Sequence, residues 1–387
     1  MAGDSEKLRN VPIITAMIPD SSMQRIGRLT PLSTVLAMID ESVGAVGLRR
    51  CAVAEARACV LAEDVAASML PPRPIALRDG VAVASAAVTD AGPYAPVPLP
   101  PSSRRIATGE ALPEGTDSVA PPDAVTERQG RLEAMAAVAP GEGVLPAGGD
   151  AASGAVLAYA GMRLREMDCA VLAAAGIGQV LVRAPRVVLV CAGAARTPLL
   201  AATLAVLSRL VVAAGGIVIG EGGVLEAALN NANADAVIAV GGTGSGAADR
   251  SVVTLTRLGR VAVHGIAVAP GETAAFGFVG NRPVLLLPGR LDAAMALWLL
   301  LGRPLFASLS GAAFADVTHG VPLKRKVTSG IGVTEVVPVR LADGMAEPLG
   351  SGYLSFAALT LSDGWVVVPA GSEGFAAGMQ VTVRPWP

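Results

Sequence analysis

Between residues 186 and 306 apolar and polar positions alternate in blocks rather than one by one. Continuous apolar runs at Arg186 to Cys191 (RVVLVC), 216–220 (GIVIG) and 234–242 (ADAVIAVGG) are separated by longer stretches at 199–214 and 224–232. A strand apolar on both faces must be covered on both faces. The alternation therefore predicts parallel strands with helices packed on either side. Residues 261–268 and 284–287 read as further strands, and 292–306 as a closing helix. Sheets of this kind bind ligands beyond the carboxyl ends of their strands.

The flanking regions have a different texture. Thr30-Pro31 is a cap followed by proline at a first turn, which starts a helix running to about Ser42. Residues 53–59 read as a second helix and 164–175 as a third. Between them, from Pro71 to Gly141, short apolar runs such as Gly80-Val81-Ala82-Val83 and Arg104-Arg105-Ile106-Ala107 are broken by Pro and Gly. That pattern predicts a small β-rich domain inserted into a helical one. After Asp316 the chain turns to short glycine-bounded strands, including 333–339 and 365–368, which suggest a β-barrel or sandwich. The expected fold is multi-domain α/β plus β. It comprises a flexible tail (1–26), a discontinuous helical linker domain (27–65 and 149–180), an inserted β-rich domain (66–148), an α/β domain with a parallel sheet (181–316) and a C-terminal β-barrel domain (317–387).

Composition narrows the function classes. Apolar residues make up 52% of the 387 positions, enough for several cores, and the formal charge of -2 with 3% aromatics argues against nucleic acid. The longest apolar stretches, ending at Arg209 and Arg303, are too short to span a bilayer, and Asp4, Glu6, Lys7 and Arg9 do not suit a secretory signal. Cys51, Cys59, Cys169 and Cys191 form no CxxC pair and read as buried thiols in a reducing compartment, so a cytoplasmic location is expected. With only His264 and His319, neither a histidine zinc site nor a Ser-His-Asp triad is expected.

The candidate chemistry lies in glycine-rich strand ends. Gly241-Gly242-Thr243-Gly244-Ser245-Gly246 follows a strand and precedes a helix beginning near Ala248-Asp249. Successive glycines let backbone N–H groups converge, and a helix N-terminus adds positive potential, which suits a phosphate. No Gly-Lys-Ser/Thr follows, so this is not a Walker A loop. Taken alone, a tight structural turn fits these residues as well as an anion site does. Two further turns, Cys191-Ala192-Gly193-Ala194-Ala195 and Leu287-Pro288-Gly289-Arg290, end strands of the same sheet, and three turns at one rim favour a site. Asp79, Asp150, Asp235 and Asp249 sit beside glycines or at strand starts. Oxygen ligands of that kind suit Mg²⁺, although a helix cap (Asp249) and turn roles (Asp79, Asp150) explain them equally. Arg104, Arg105, Arg196, Arg250 and Arg290 are the candidate phosphate partners.

From about Arg28 to the C-terminus the chain resembles the molybdopterin molybdenumtransferase family, which includes the E domain of gephyrin. The segment Arg105-Ile106-Ala107-Thr108-Gly109-Glu110-Ala111-Leu112-Pro113-Glu114-Gly115-Thr116-Asp117 is similar to the family's R-I-x-T-G-A-x-x-P-x-G-A-D. Arg78-Asp79-Gly80-Val81-Ala82 resembles M-D-G-Y-A, Gly149-Asp150 the end of R-G-E-D, and Gly241 to Asp249 the family's G-G-V-S-V-G-x-x-D. Pro270-Gly271, Phe276-Gly277 and Leu287-Pro288-Gly289 match the pieces that follow.

The resemblance implies a homodimer that inserts molybdate into adenylylated molybdopterin with help from Mg²⁺. A molybdoenzyme or another cofactor-biosynthesis protein would be the recipient. It also implies residue roles. Asp79, Asp150 and Asp249 would hold the metal and assist catalysis. Thr108, Gly193, Asp235, Gly241, Gly242, Thr243, Gly244, Ser245, Gly246, Pro270, Gly271, Pro288, Gly289 and Arg290 would contact molybdopterin.

The chain departs from the family pattern at polar positions. The acidic T-G-D-E turn is Ala192-Gly193-Ala194-Ala195, K-P-G-K-P is Ala269-Pro270-Gly271-Glu272-Thr273, and P-G-N-P is Pro288-Gly289-Arg290-Leu291. Weakened turnover is the expected consequence. A non-catalytic molybdopterin-binding, storage or delivery protein is the alternative.

Overall fold

The computed structural model describes residues 24–192, 197–314 and 317–387. Its centre is a six-stranded sheet in the order Ile217–Glu221, Arg186–Cys191, Ala236–Val240, Arg282–Leu287, Ala275–Val279, Arg260–His264. The first four strands are parallel, as their continuous apolar character predicts. The last two run antiparallel to their neighbours, so the sheet is mixed rather than wholly parallel. The antiparallel step comes from a tight hairpin between Val279 and Arg282, too short for a helical crossover.

Alternate residues of one strand serve opposite cores. Val187 and Leu189 pack with the helices Pro198–Ala213 and Leu291–Leu297, whereas Val188 and Val190 pack with Leu225–Leu229 and Ser251–Leu258. The helical stretch from Leu291 to Ser310 is 20 residues long and apolar, yet it is mostly buried and serves as a core helix. Its middle turn, Trp298–Gly302, is π-helical just ahead of Pro304. Proline has no N–H to donate to the preceding turn, which accounts for the widened ladder.

Three expectations need correction. Residues 261–268 form two strands, because Gly265 turns the chain at φ +94° between Arg260–His264 and Val268–Ala269. A side chain at Gly265 would also strike Ile26 and the Arg28 carbonyl. The linker region is not mainly helical. Arg49–Ala52 and Val60–Leu61 both pair with Gln179–Arg183, and residues 53–59 hold only a short 3-10 turn, Val53–Glu55. One α-helix of that unit, Glu166–Ala174, covers this sheet over Leu61, Leu164 and Leu172. The named strand pairs of the C-terminal unit trace no closed barrel among the described residues, although a bridge from Leu323 to Ala346 links Met345–Pro348 to the chain after His319–Pro322. The path of this unit's sheet runs Val268–Ala269, Thr334–Ala342, Gly364–Val368, Gln380–Pro385, His319–Pro322, so a two-residue strand of the central region forms its edge.

Arg163 fastens the linker to the central domain. Its guanidinium donates to the carbonyls of Ala58, Ala214 and Ala312 and to the Ser310 hydroxyl, and lies 4.2 Å from the centre of the Phe314 ring. The 80–120 region is a separate small sheet, Arg104–Ile106, Gly80–Val83 and Ser118–Ala120 in that order.

Candidate functional site

Two of the glycine-rich turns, and Ala192 at the start of the other, meet at the carboxyl rim of the central sheet. A Cβ placed on Gly242 would lie 2.9 Å from the Ala192 carbonyl oxygen, and one on Gly289 would lie 3.5 Å from the Gly241 Cα. Gly241 N–H donates to the Leu287 carbonyl and Ala192 N–H to the Val240 carbonyl, so hydrogen bonds fix the turns to each other. Of the first turn, Gly193, Ala194, Ala195 and Arg196 lie outside the described residues.

The central loop is held from several sides. Thr243 is buried, its hydroxyl lies 3.0 Å from that of Thr273, and its carbonyl accepts from His264 Nε2 at 3.0 Å. Burial lowers the His264 pKa, so the ring is neutral with its proton on Nε2. Asp249 turns its carboxylate back under the loop, where Oδ2 accepts from Gly246 N–H at 3.0 Å. Pro270 and Gly271 are buried, and a Cβ on Gly271 would run into Leu297. That segment therefore reaches the loop through Thr273 rather than through its glycine. Exposed Glu272 accepts from Gly271 N–H and brings negative charge where the family pattern carries lysine.

The helix N-terminus next to the loop is already engaged. Gln24 is 3% exposed, and its Oε1 accepts from Val252 N–H at 2.7 Å and Val253 N–H at 3.2 Å. Ser251 N–H donates to the Gly242 carbonyl. The expected contribution of this helix end to phosphate binding is thus taken up inside the protein. Among the described residues, the N–H groups of Thr243, Gly244 and Ser245 have no acceptor. Sequence reading placed Gln24 in a flexible tail (1–26), and its burial against the loop corrects that expectation for this residue.

Arg290 is exposed at the rim but not unattached. Its guanidinium meets both carboxylate oxygens of buried Asp292, at 3.1 and 3.0 Å, and lies 4.5 Å from the centre of the Tyr353 ring. Asp292 also accepts from Leu354 N–H at 3.3 Å, which ties the Pro288–Arg290 turn to the C-terminal unit. Sequence reading missed Asp292 and Tyr353, because Asp292 lies in the first turn of the helix Leu291–Leu297 and Tyr353 follows a glycine turn outside the central sheet.

The acids do not gather. Asp235 stands before the first residue of Ala236–Val240, at the end of the strand opposite the glycine loop. There it pairs with Arg49 at 2.6 Å and accepts from Arg186 N–H, so it ties the linker to the sheet and cannot touch a ligand at the rim. Asp79 lies in the inserted sheet, where Oδ1 accepts from Thr108 N–H at 2.7 Å and Thr108 Oγ1 at 2.9 Å. Those two hydrogen bonds lower its pKa and keep it ionised. With Arg105 and Glu110 it lines an open groove of about 420 Å³. Asp150 is exposed, and its backbone N–H donates to the Leu70 carbonyl. No group of three or more His, Cys, Asp or Glu suited to a metal ion occurs among the described residues. Asp79, Asp150 and Asp249 of one chain therefore do not make a Mg²⁺ site.

Comparison with known proteins gives three family matches. Residues 30–176 match the MoeA N-terminal region (domains I and II), 193–308 a probable molybdopterin binding domain, and 320–386 the MoeA C-terminal region (domain IV). The chain is 30% identical to molybdopterin molybdenumtransferase 1 of Mycobacterium tuberculosis over 228 residues, 53% of each chain. It is 29% identical to a molybdopterin molybdenumtransferase of Haemophilus influenzae over 229 residues, covering 54% of this chain and 57% of the other. It spans about half the length of these curated relatives. A solved molybdopterin-biosynthesis MoeA protein of Pyrococcus horikoshii aligns with 93% of this chain and 100% of its own, at 26% identity and TM-score 0.66.

Proposed function

The chain belongs to the MoeA family, and we propose that it acts in molybdenum cofactor biosynthesis by holding molybdopterin at the glycine rim and promoting insertion of molybdate. The observation that carries this reading is the convergence of the Ala192, Gly241–Ser245 and Pro288–Gly289 turns. They leave the Thr243, Gly244 and Ser245 N–H groups without an acceptor among the described residues. Backbone donors in such a concavity suit the phosphate of molybdopterin or of its adenylylated form.

Dimerisation would complete the site. Asp79, clipped by Thr108 and ionised, and Asp150 both sit outside the central domain, so a second copy is the means of bringing them to the rim. A cytoplasmic location and a molybdoenzyme or fellow biosynthetic protein as recipient accompany this role. Among the described residues the acids of one chain do not form a Mg²⁺ site.

The chemistry left to this chain is positioning and charge. Thr243 to Ser245 orient the ligand, Arg250 beside the loop is exposed to meet anionic oxygen, and neutral His264 keeps the Thr243 carbonyl turned away. Glu272 opposes an anion at the same rim, and Arg290 is already matched by Asp292. Removing a preorganised cation commonly costs roughly 10²–10³ in rate. Turnover is accordingly weaker than binding, and that imbalance favours the second reading of a molybdopterin storage or delivery protein.

The deciding assay is molybdate-dependent activation of a purified apo-molybdoenzyme with adenylylated molybdopterin. Activity that rises when Ala269 and Glu272 are changed to lysine supports the transferase reading. Molybdopterin retention without any turnover supports delivery, and no retention refutes both.

A further inference from the structure

Gln24 lies ahead of all three family matches, which begin at residue 30. Yet it is buried against the central glycine loop more than two hundred residues away. We propose that Gln24 is a positioning residue that aims the exposed Ser245 N–H group of that loop at an anionic ligand, phosphate in chemistry. This rests on the reading of the loop as the molybdopterin site.

The argument starts from the carboxamide. Nε2 carries two protons and Oε1 accepts two, and all four are used in opposite directions. Oε1 takes the Val252 and Val253 N–H groups of the helix, while Nε2 donates to the Gly242 carbonyl at 2.9 Å and the Gly244 carbonyl at 2.8 Å. Ser251 adds its N–H and its hydroxyl to the Gly242 oxygen. Two carbonyls of the loop, two residues apart, are therefore pulled to the same buried side.

In a planar trans peptide the carbonyl of one residue and the N–H of the next point in opposite directions. The Gly242–Thr243 and Gly244–Ser245 bonds are both trans. Pinning these carbonyls inward thus turns both following N–H groups to the opposite side of the loop, where Ser245 is exposed and Thr243 stays buried. Neither has an acceptor among the described residues. A glycine loop left to itself samples many conformations, and the cost of ordering it would fall on ligand binding. Gln24 meets that cost during folding. The same bonds use up the helix N-terminus, so the donors offered to the ligand belong to the loop alone.

The test uses the full chain with Gln24→Ala and Gln24→Glu. The glutamate keeps oxygen for the Val252 and Val253 N–H groups but sets a second oxygen against the loop carbonyls. Amide exchange of the ligand-free protein should show Ser251, whose partner is the Gly242 carbonyl, faster by about tenfold in both variants. Val252 and Val253 should quicken in the alanine variant only. Anoxic capture of molybdopterin, read as its fluorescent oxidised form, should weaken about tenfold or more in both. The glutamate variant matching the unmodified protein in exchange and capture would overturn the proposal. So would tighter capture by either variant, which would mean that Gln24 occupies the ligand's place. If the unmodified protein captures no molybdopterin, the site reading fails, and the exchange pattern alone still decides whether Gln24 sets the loop.

Discussion

Replacing Gly242 and Gly244 one at a time with alanine separates a loop held by backbone from one held by side chains. Gly242 has φ +68°, and its Cβ would stand 2.9 Å from the Ala192 carbonyl oxygen. The left-handed conformation costs a non-glycine residue about 1–2 kcal/mol. Forcing apart two turns joined by backbone adds about 1 kcal/mol more. The sum is about 2–3 kcal/mol, and at about 2–4 °C per kcal/mol the central domain should lose about 4–12 °C in melting temperature. At Gly244 the Cβ would meet Asp249 Oδ2 at 2.8 Å. A carboxylate tip can swing away, so the loss is one hydrogen bond from Gly246 N–H, about 1 kcal/mol. Calorimetric melting should therefore fall clearly for Gly242→Ala and only slightly for Gly244→Ala, while molybdopterin capture should suffer in both. Equal melting losses, or capture untouched in a folded Gly244→Ala protein, would refute the reasoning.

Further outcomes follow from single groups. Burial lowers the His264 pKa, so the unfolded chain binds more protons below its ordinary value of about 6.5, and stability should fall as pH drops below that point. Melting profiles of His264→Gln between pH 5 and 8 should be flatter than those of the unmodified protein, and an unchanged slope would count against the assignment. Hydrogen bonds from Thr108 lower the Asp79 pKa, so the stabilisation is present above the ordinary value of about 3.9 and is lost as pH falls through the lower folded value. The Thr108 amide shift should report a midpoint below 3.9, and a midpoint at or above it would break the link. Arg163→Ala leaves three carbonyls and a hydroxyl without their buried cation, and urea unfolding should show about 2–4 kcal/mol lost. Light scattering at micromolar concentration should give twice the chain mass, and a monomer would leave Asp79 and Asp150 without a route to the rim.

Strand and helix blocks of the central domain could be read from residue pattern, because burial on both faces demands unbroken apolar runs such as Val187 to Val190. The same logic located the strand-end turns, since glycine is required where backbones approach as closely as Gly242 and Ala192 do. Pattern was less informative where pairing partners are distant. The 53–59 stretch has helical periodicity but is governed by sheet pairing of its flanks with Gln179–Arg183. Strand pairs also decided the strand order of the C-terminal unit, which borrows Val268–Ala269 at its edge.

Side-chain destinations were the least legible of all. Asp235 and Asp249 look alike in sequence, each near the apolar run of one strand, but they stand at its opposite ends. One meets Arg49, the other a glycine loop. In the central domain local sequence therefore determined the main strands, helices and glycine turns, because those depend on burial and φ at neighbouring positions. Only the tertiary structure decided which polar groups meet, as with Gln24 under the loop and Arg290 on Asp292, because hydrogen-bond partners far apart in the chain leave no period in it.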